Sequence, residues 1–198
     1  MEKIASNQYP IHPLLQRRWS PCIFSERPIE SEKLGSILEA ARWAPSSYNE
    51  QPWSFIIATQ AEPTEYNKML NCLVPFNQTW AKTAPVLMIT VAHKYFSHDH
   101  SPNPYGWHDV GLAVENMTIQ AMTFDIFVHQ MGGFNADQAI ATYQIPDTHQ
   151  PVSAIALGYM GDMTDQPAEL QERQQKERER KPLSDFVFTG TWQKSRDL

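Results

Sequence analysis

The sequence predicts one α+β domain: short apolar runs bounded by Pro, Gly and polar residues alternate with stretches of helical periodicity, and no block repeats at a fixed spacing. Its 198 residues suit one domain with a full core, and a hydrophobic fraction of 41% against 19% charged is too apolar for a disordered chain. From the N-terminus, His12 to Arg17 fits a short helix. Ser31 is placed to cap a longer one carrying Leu34, Ile37, Leu38 and Ala41 at i, i+3, i+4 and i+7, which Pro45 stops. Phe55 to Thr59 (FIIAT) and Val86 to Ala92 (VLMITVA) read as buried strands, with Tyr66 to Leu73 helical between them. His108 to Phe124 presents Leu112, Val114, Met117, Ala121 and Met122 on a broad apolar face without a Pro, which fits a central helix packed on several sides. Asp125 suits a left-handed turn at its end. Ile126 to His129 follows as a strand, Asn135 caps a helix running through Tyr143, and Val152 to Met160 (VSAIALGYM) is the last strand. Glu169 to Lys181 mixes both signs of charge without an apolar stripe, the pattern of a solvated helix or mobile arm.

Composition excludes several function classes. Sixteen Lys and Arg against twenty-two Asp and Glu give a net charge of −6, so there is no general attraction for nucleic acid, and any phosphate must be held locally. No stretch approaches the roughly 18 apolar residues of a membrane span, and Met1 to Pro10 (MEKIASNQYP) has no apolar run of a signal peptide, so a cytoplasmic protein is expected. Cys22 and Cys72 form no CxxC and are expected to be reduced thiols. The sequence contains neither GxGxxG nor GxxxxGK[ST], no GxSxG and no HExxH, which removes the main support for Rossmann, P-loop, hydrolase and zinc-protease chemistry. His93, His98, His100 and His108 lie close together beside Asp99 and Asp109 and have the chemistry of metal ligands. Their spacing matches no standard site, and Ser, Pro, Asn and Gly around them mark an exposed loop, so solvent histidines are the expected reading.

Four segments carry chemistry. Arg17-Arg18-Trp19-Ser20-Pro21 sets two guanidinium groups and a hydroxyl at a helix end, a compact set of phosphate donors, although adjacent arginines also occur as a plain surface pair. Lys194-Ser195-Arg196 offers a second cationic pair near the other terminus, or a frayed basic tail. Ala44-Pro45-Ser46-Ser47-Tyr48-Asn49-Glu50-Gln51-Pro52-Trp53 holds hydroxyl and amide groups between two prolines, a rigid loop able to bond a polar heterocycle or simply to turn the chain. His129-Gln130-Met131-Gly132-Gly133-Phe134 follows a strand, and its two glycines allow a flat ligand to approach the backbone or serve an ordinary turn.

Taken in order, these segments resemble the nitroreductase family of FMN-dependent oxidoreductases over nearly the whole chain, from Arg17 to Arg196. RRWSPCIF resembles the family's phosphate segment and APSSYNEQPW its flavin loop. Asn77 with Trp80 and Ala84-Pro85 is similar to the stretch before the central strand, WHDVGLAVENMTIQA to the central helix, HQMGGF to the turn beside the flavin ring, and KSR to the C-terminal phosphate clamp. The resemblance implies a mainly antiparallel sheet flanked by helices (an α/β sandwich), a single FMN-binding domain over residues 1–198, and an entwined homodimer to which an arm of residues 165–198 contributes. It implies that Arg17, Arg18, Ser20, Lys194 and Arg196 hold the phosphate and ribityl end of FMN, with Asn77 near the ring's polar edge. Pro45, Ser46, Ser47 and Asn49 would reach the flavin from the partner subunit, and Gln130, Met131, Gly132 and Gly133 would line its reactive face, a backbone N–H bonding N5. A basic residue is common in the family where Cys22 stands, which Lys194 or Arg196 would offset, and a Gly where Asp125 stands.

The implied activity is transfer of a hydride from NADH or NADPH to flavin N5 and, by a ping-pong mechanism, to a small organic acceptor: a nitroaromatic, a quinone or an activated alkene. No side chain is required as general acid or base, so no catalytic residue is assigned, and neither a metal, a nucleic acid nor a membrane is an expected partner. Tyr95 to Trp107, with Phe96, Tyr105 and Trp107, is the expected rim of the acceptor pocket. A flavin-binding carrier or redox sensor without efficient turnover is the alternative, and a metal-dependent enzyme built on the histidine cluster is third.

Overall fold

The computed structural model describes residues 2–196. In chain order the elements are α1 (Pro13–Arg17), α2 (Ser31–Arg42), β1 (Trp53–Thr59), α3 (Pro63–Asn71), α4 (Pro75–Ala81), β2 (Val86–His93), α5 (Gly106–Met122), β3 (Ile126–Met131), α6 (Ala136–Tyr143), β4 (His149–Tyr159) and α7 (Ala168–Gln175). The strands form one sheet in the order β1-β2-β4-β3, every neighbouring pair antiparallel.

Because side chains alternate across a strand, each strand serves two cores. On β2, Val86, Met88 and Ala92 join the core beneath α2 and α5, while Leu87, Ile89 and Val91 join the core that contains Trp19, Phe24, Met69 and Trp80. The central strand β2 is therefore apolar on both sides, which explains its uninterrupted run VLMITVA. The polar side chain within that run, Thr90, is fully buried and bonds the Ser153 hydroxyl at 2.9 Å, beside a register shift between Thr90 and Val91. The result is an α+β sandwich: helices α2 and α5 on one face, and α3, α4, α6 and α7 on the other.

The structure corrects several expectations. Ser31 is the first residue of α2 and not its cap; Glu30 holds the cap position and makes no side-chain cap bond, its carboxylate being engaged by Arg27, Lys33 and the Tyr159 hydroxyl. Helix α4 was not anticipated. Helix α7 is not fully solvated, because Leu170 and Gln174, one turn apart, are buried. Asp125 adopts a positive φ of 56° as expected, and Asn135 caps α6 by accepting from the Gln138 N–H at 3.0 Å.

Candidate active site

After α1 the chain runs extended, and Arg18, Ser20 and Cys22, at alternate positions, line a cleft of about 390 Å³. The opposite wall is α7 with the segment after it, supplying Arg173, Lys176, Arg178 and Arg180, and Lys3 adds a further amine. Against these six cations the lining holds only Glu177 and Glu179, so a chain of net charge −6 concentrates positive charge in one place. The two walls are tied together: the Lys3 amine donates to the Lys176 carbonyl at 2.6 Å, and the Arg178 guanidinium donates to the carbonyls of Lys3 and Gln16 at 2.6 and 2.7 Å. Burial lowers the Arg178 and Lys3 pKa values, and for Arg178 the neighbouring Arg18 and Arg180 add to the shift.

Cys22 is fitted into this wall, not aimed from it. Its N–H donates to the Gln174 side-chain carbonyl at 2.9 Å, its thiol lies 3.8 Å from the Leu170 carbonyl, and burial raises the thiol pKa. The floor of the cleft is aromatic. His129 and Trp80 stack with ring centroids 4.5 Å apart, and His129 Nδ1 lies 2.6 Å from the Pro21 carbonyl. Since a carbonyl only accepts, Nδ1 carries the proton; burial depresses the pKa, so the ring is neutral and Nε2 keeps a lone pair.

Beneath the floor, a chain of buried contacts leads to the glycine turn. Trp80 Nε1 donates to Asn77 Oδ1 at 3.2 Å, and Asn77 Nδ2 donates to the Gly133 carbonyl at 2.9 Å, with the Val74 N–H bonding the same oxygen at 3.1 Å. A Cβ at Gly133 would stand 2.6 Å from Asn77 Nδ2, whereas one at Gly132 would meet nothing within 4 Å. Thus Gly133 is required by packing, and Gly132 leaves the backbone open to approach. Among the described residues, neither the Gly132 nor the Gly133 N–H donates to a backbone carbonyl outside the strand ladder.

The Pro45–Asn49 loop stands elsewhere. It precedes β1, and the glycine turn follows β3, at the same end of the sheet but on opposite edge strands. With strands spaced about 4.8 Å apart, these edges are separated by about 14 Å, so the loop and the glycine turn do not stand on neighbouring strands. The loop is rigid: the buried Asp109 carboxylate accepts from the Ser47 N–H at 3.1 Å, Ser46 Oγ accepts from the Gln51 N–H at 3.0 Å, and Tyr48, Asn49 and Gln51 all have positive φ.

Comparison with known proteins places this arrangement. The Nitroreductase family model matches residues 15–159, nearly three quarters of the chain. The chain belongs to the nitroreductase family. It is 38% identical to an oxygen-insensitive NADPH nitroreductase of Helicobacter pylori, over 73% of this chain and 66% of that one. A solved structure described as an oxidoreductase containing FMN superimposes with a TM-score of 0.89 at 34% identity, covering 94% of this chain and 95% of the other. An iodotyrosine deiodinase of Haliscomenobacter hydrossis is 25% identical over 80% of this chain and 82% of its own length.

Within this nitroreductase-family fold the residues singled out from sequence fall into distinct places. Arg18 and Ser20 line the cationic cleft. Arg17 points away from it, bonded to Asp125 at 2.7 Å with Glu2 at 3.4 Å. Asn77 is buried behind Gly133, Gln130 is exposed and Met131 is buried. Lys194 and Arg196 are exposed in a small C-terminal hairpin bridged at Phe188 and Ser195, outside the cleft lining. Of the expected rim, Tyr105 and Trp107 are half exposed, but Phe96 is buried under Tyr48, ring centroids 5.6 Å apart, because Glu50 clamps the loop by accepting from the Ser97 N–H and hydroxyl. Among the described residues no group of three His, Cys, Asp or Glu is arranged around a metal position, and no helix is long and apolar enough to cross a membrane. Sequence reasoning missed Lys3, Arg173, Lys176, Arg178 and Arg180, and it weighed Asp109 only as a metal ligand beside the histidines. All the cations but Lys3 sit in the Glu169 to Lys181 segment that reads as solvated charge, and only folding brings them to Arg18.

Proposed function

We propose that this chain is an FMN-dependent oxidoreductase that takes reducing equivalents from NAD(P)H and passes them, by a ping-pong mechanism, to a nitroaromatic, a quinone or an activated alkene. The carrying observation is one connected framework. A cationic cleft with a serine hydroxyl is linked, through the His129–Trp80 ring contact and the buried Trp80–Asn77–Gly133 hydrogen bonds beneath it, to a glycine turn open to approach. That donor set suits a phosphate monoester at one end and a flat heterocycle at the other. Similarity to a protein named an NADPH nitroreductase and to one described as an oxidoreductase containing FMN supports the same reading.

FMN held there would supply two-electron hydride chemistry. The protein's part is position and field. Arg18 and Ser20 would anchor the phosphate, and the Gly132 and Gly133 N–H groups would face the ring, where fixed donors stabilise developing negative charge without reorganising. Pro45, Ser46, Ser47 and Asn49 would complete the site from a second copy, since their own chain holds them at the far edge. Tyr105 and Trp107, held near that loop through Asp109, would wall the acceptor pocket of the resulting homodimer.

The test is the visible spectrum of protein purified without added cofactor, before and after anaerobic NADPH or NADH. Flavin bands that bleach within the mixing time are expected. A yellow protein that does not bleach would make it a carrier or sensor, and a colourless one that also refuses added FMN would overturn the reading.

A further inference from the structure

We propose that Arg173, on α7, is a cofactor-binding residue whose guanidinium holds an anionic oxygen of the flavin cofactor. The inference rests on the FMN reading above and assigns a group that neither the phosphate segment nor the C-terminal KSR supplies. Three of the six cations lining the cleft are already engaged. Arg178 bonds two carbonyls, Lys3 bonds the Lys176 carbonyl and lies 4.5 Å over the Trp19 ring, and Arg180 bonds the Glu179 carbonyl. Arg173 makes no ion pair among the described residues. Its guanidinium carbon lies 5.2 Å from the Phe76 ring and 5.8 Å from the Trp80 ring, stacked on helix α4 while its N–H groups stay available.

That position is decisive because of what lies beneath it. Trp80 is the residue that bonds Asn77, and Asn77 is the residue that holds Gly133. Among the described residues, Arg173 is therefore the one cation stacked over Trp80, the ring whose contacts lead to the glycine turn. Cys22 and His129 border the same space: its charge opposes the burial shift of the Cys22 thiol and helps to keep His129 neutral. Helix α7 is fixed there by Leu170 and Gln174, the latter bonding the Cys22 N–H, so the guanidinium is delivered by a buried anchor and not by a free tail. The anionic oxygen is either the phosphate or the carbonyl edge of the ring, which gains negative charge on reduction.

Apoprotein, prepared by stripping the flavin, is titrated with FMN and with riboflavin by fluorescence quenching. Arg173→Ala and Arg173→Gln should weaken FMN binding about 10- to 100-fold, the loss of a charge-assisted hydrogen bond, and Arg173→Lys should retain most of it. Arg173 is exposed, so the melting temperature should not move. Unchanged riboflavin binding in the variants assigns the phosphate. An equal loss for riboflavin, with a lowered midpoint potential of the bound flavin, assigns the ring edge. Variants that bind both flavins like the parent, at an unchanged potential, would overturn the inference, and a parent protein that binds no flavin would instead overturn the functional reading.

Discussion

His129 shows how one side chain links packing to the site. Its Nδ1–H is held by the Pro21 carbonyl, its face lies on Trp80, and burial, partly opposed by that hydrogen bond, keeps its pKa below the usual histidine range. In the unfolded chain the same ring takes a proton near its ordinary value of about 6.5. Below that pH the unfolded state binds more protons than the native one, so stability rises with pH through this window and is lost as pH falls below about 6.5. His149 is shifted in the same direction, by burial first and then by His93 and Lys94. Urea unfolding between about pH 5.5 and 7.5 should therefore show the parent losing stability on the acid side. In His129→Asn an amide N–H can still donate to Pro21 but nothing titrates, so the acid-side loss should shrink without vanishing. An identical pH slope in parent and variant would show that His129 is not the group responsible.

At the scale of elements, what was legible followed from length and purity of pattern. The strands could be read because β2 and β4 are apolar on successive residues, and α5 because its buried face is seventeen residues long. Helix α4 escaped because seven residues give under two turns, too few for a periodicity to declare itself. The buried face of helix α7 escaped because its second buried position is a Gln, whose burial is satisfied by the Cys22 N–H, so no apolar stripe was visible. The glycine turn was legible as a turn, but not the division of labour inside it. Gly133→Ala would force its Cβ against Asn77 and Val74 and should cost about 1–3 kcal/mol of stability by overpacking. Gly132→Ala meets open space, so its stability in the same denaturation should match the parent, while the added methyl group should lower flavin content. A stable Gly133→Ala protein would show that the Asn77 latch is slack, and unchanged flavin in Gly132→Ala would place the ligand elsewhere.

At the scale of the whole molecule, the proposed site spans two copies of the chain. Helix–sheet packing leaves Tyr48 81% exposed and Trp192 82% exposed, and it holds the Pro45–Asn49 loop on the edge strand opposite the glycine turn. Sequence order could align both segments with one ligand, but the strand order β1-β2-β4-β3 separates them, and the site proposed above takes its loop from a second copy. Subunit mixing tests this directly. Arg18→Ala disables the cleft of its own chain, and Ser47→Ala with Asn49→Ala disables the loop it lends. If each site takes its cleft from one copy and its loop from the other, a mixed dimer has one site with both defects and one with neither. Random mixing of equal amounts, after separation and reassociation, makes half the dimers mixed, so about a quarter of all sites should regain parental flavin binding. Flavin retained by the mixture, compared with each variant alone, is the measurement. If the loop instead served its own chain, every site in the mixture would keep one defect, and binding would stay at the average of the two variants.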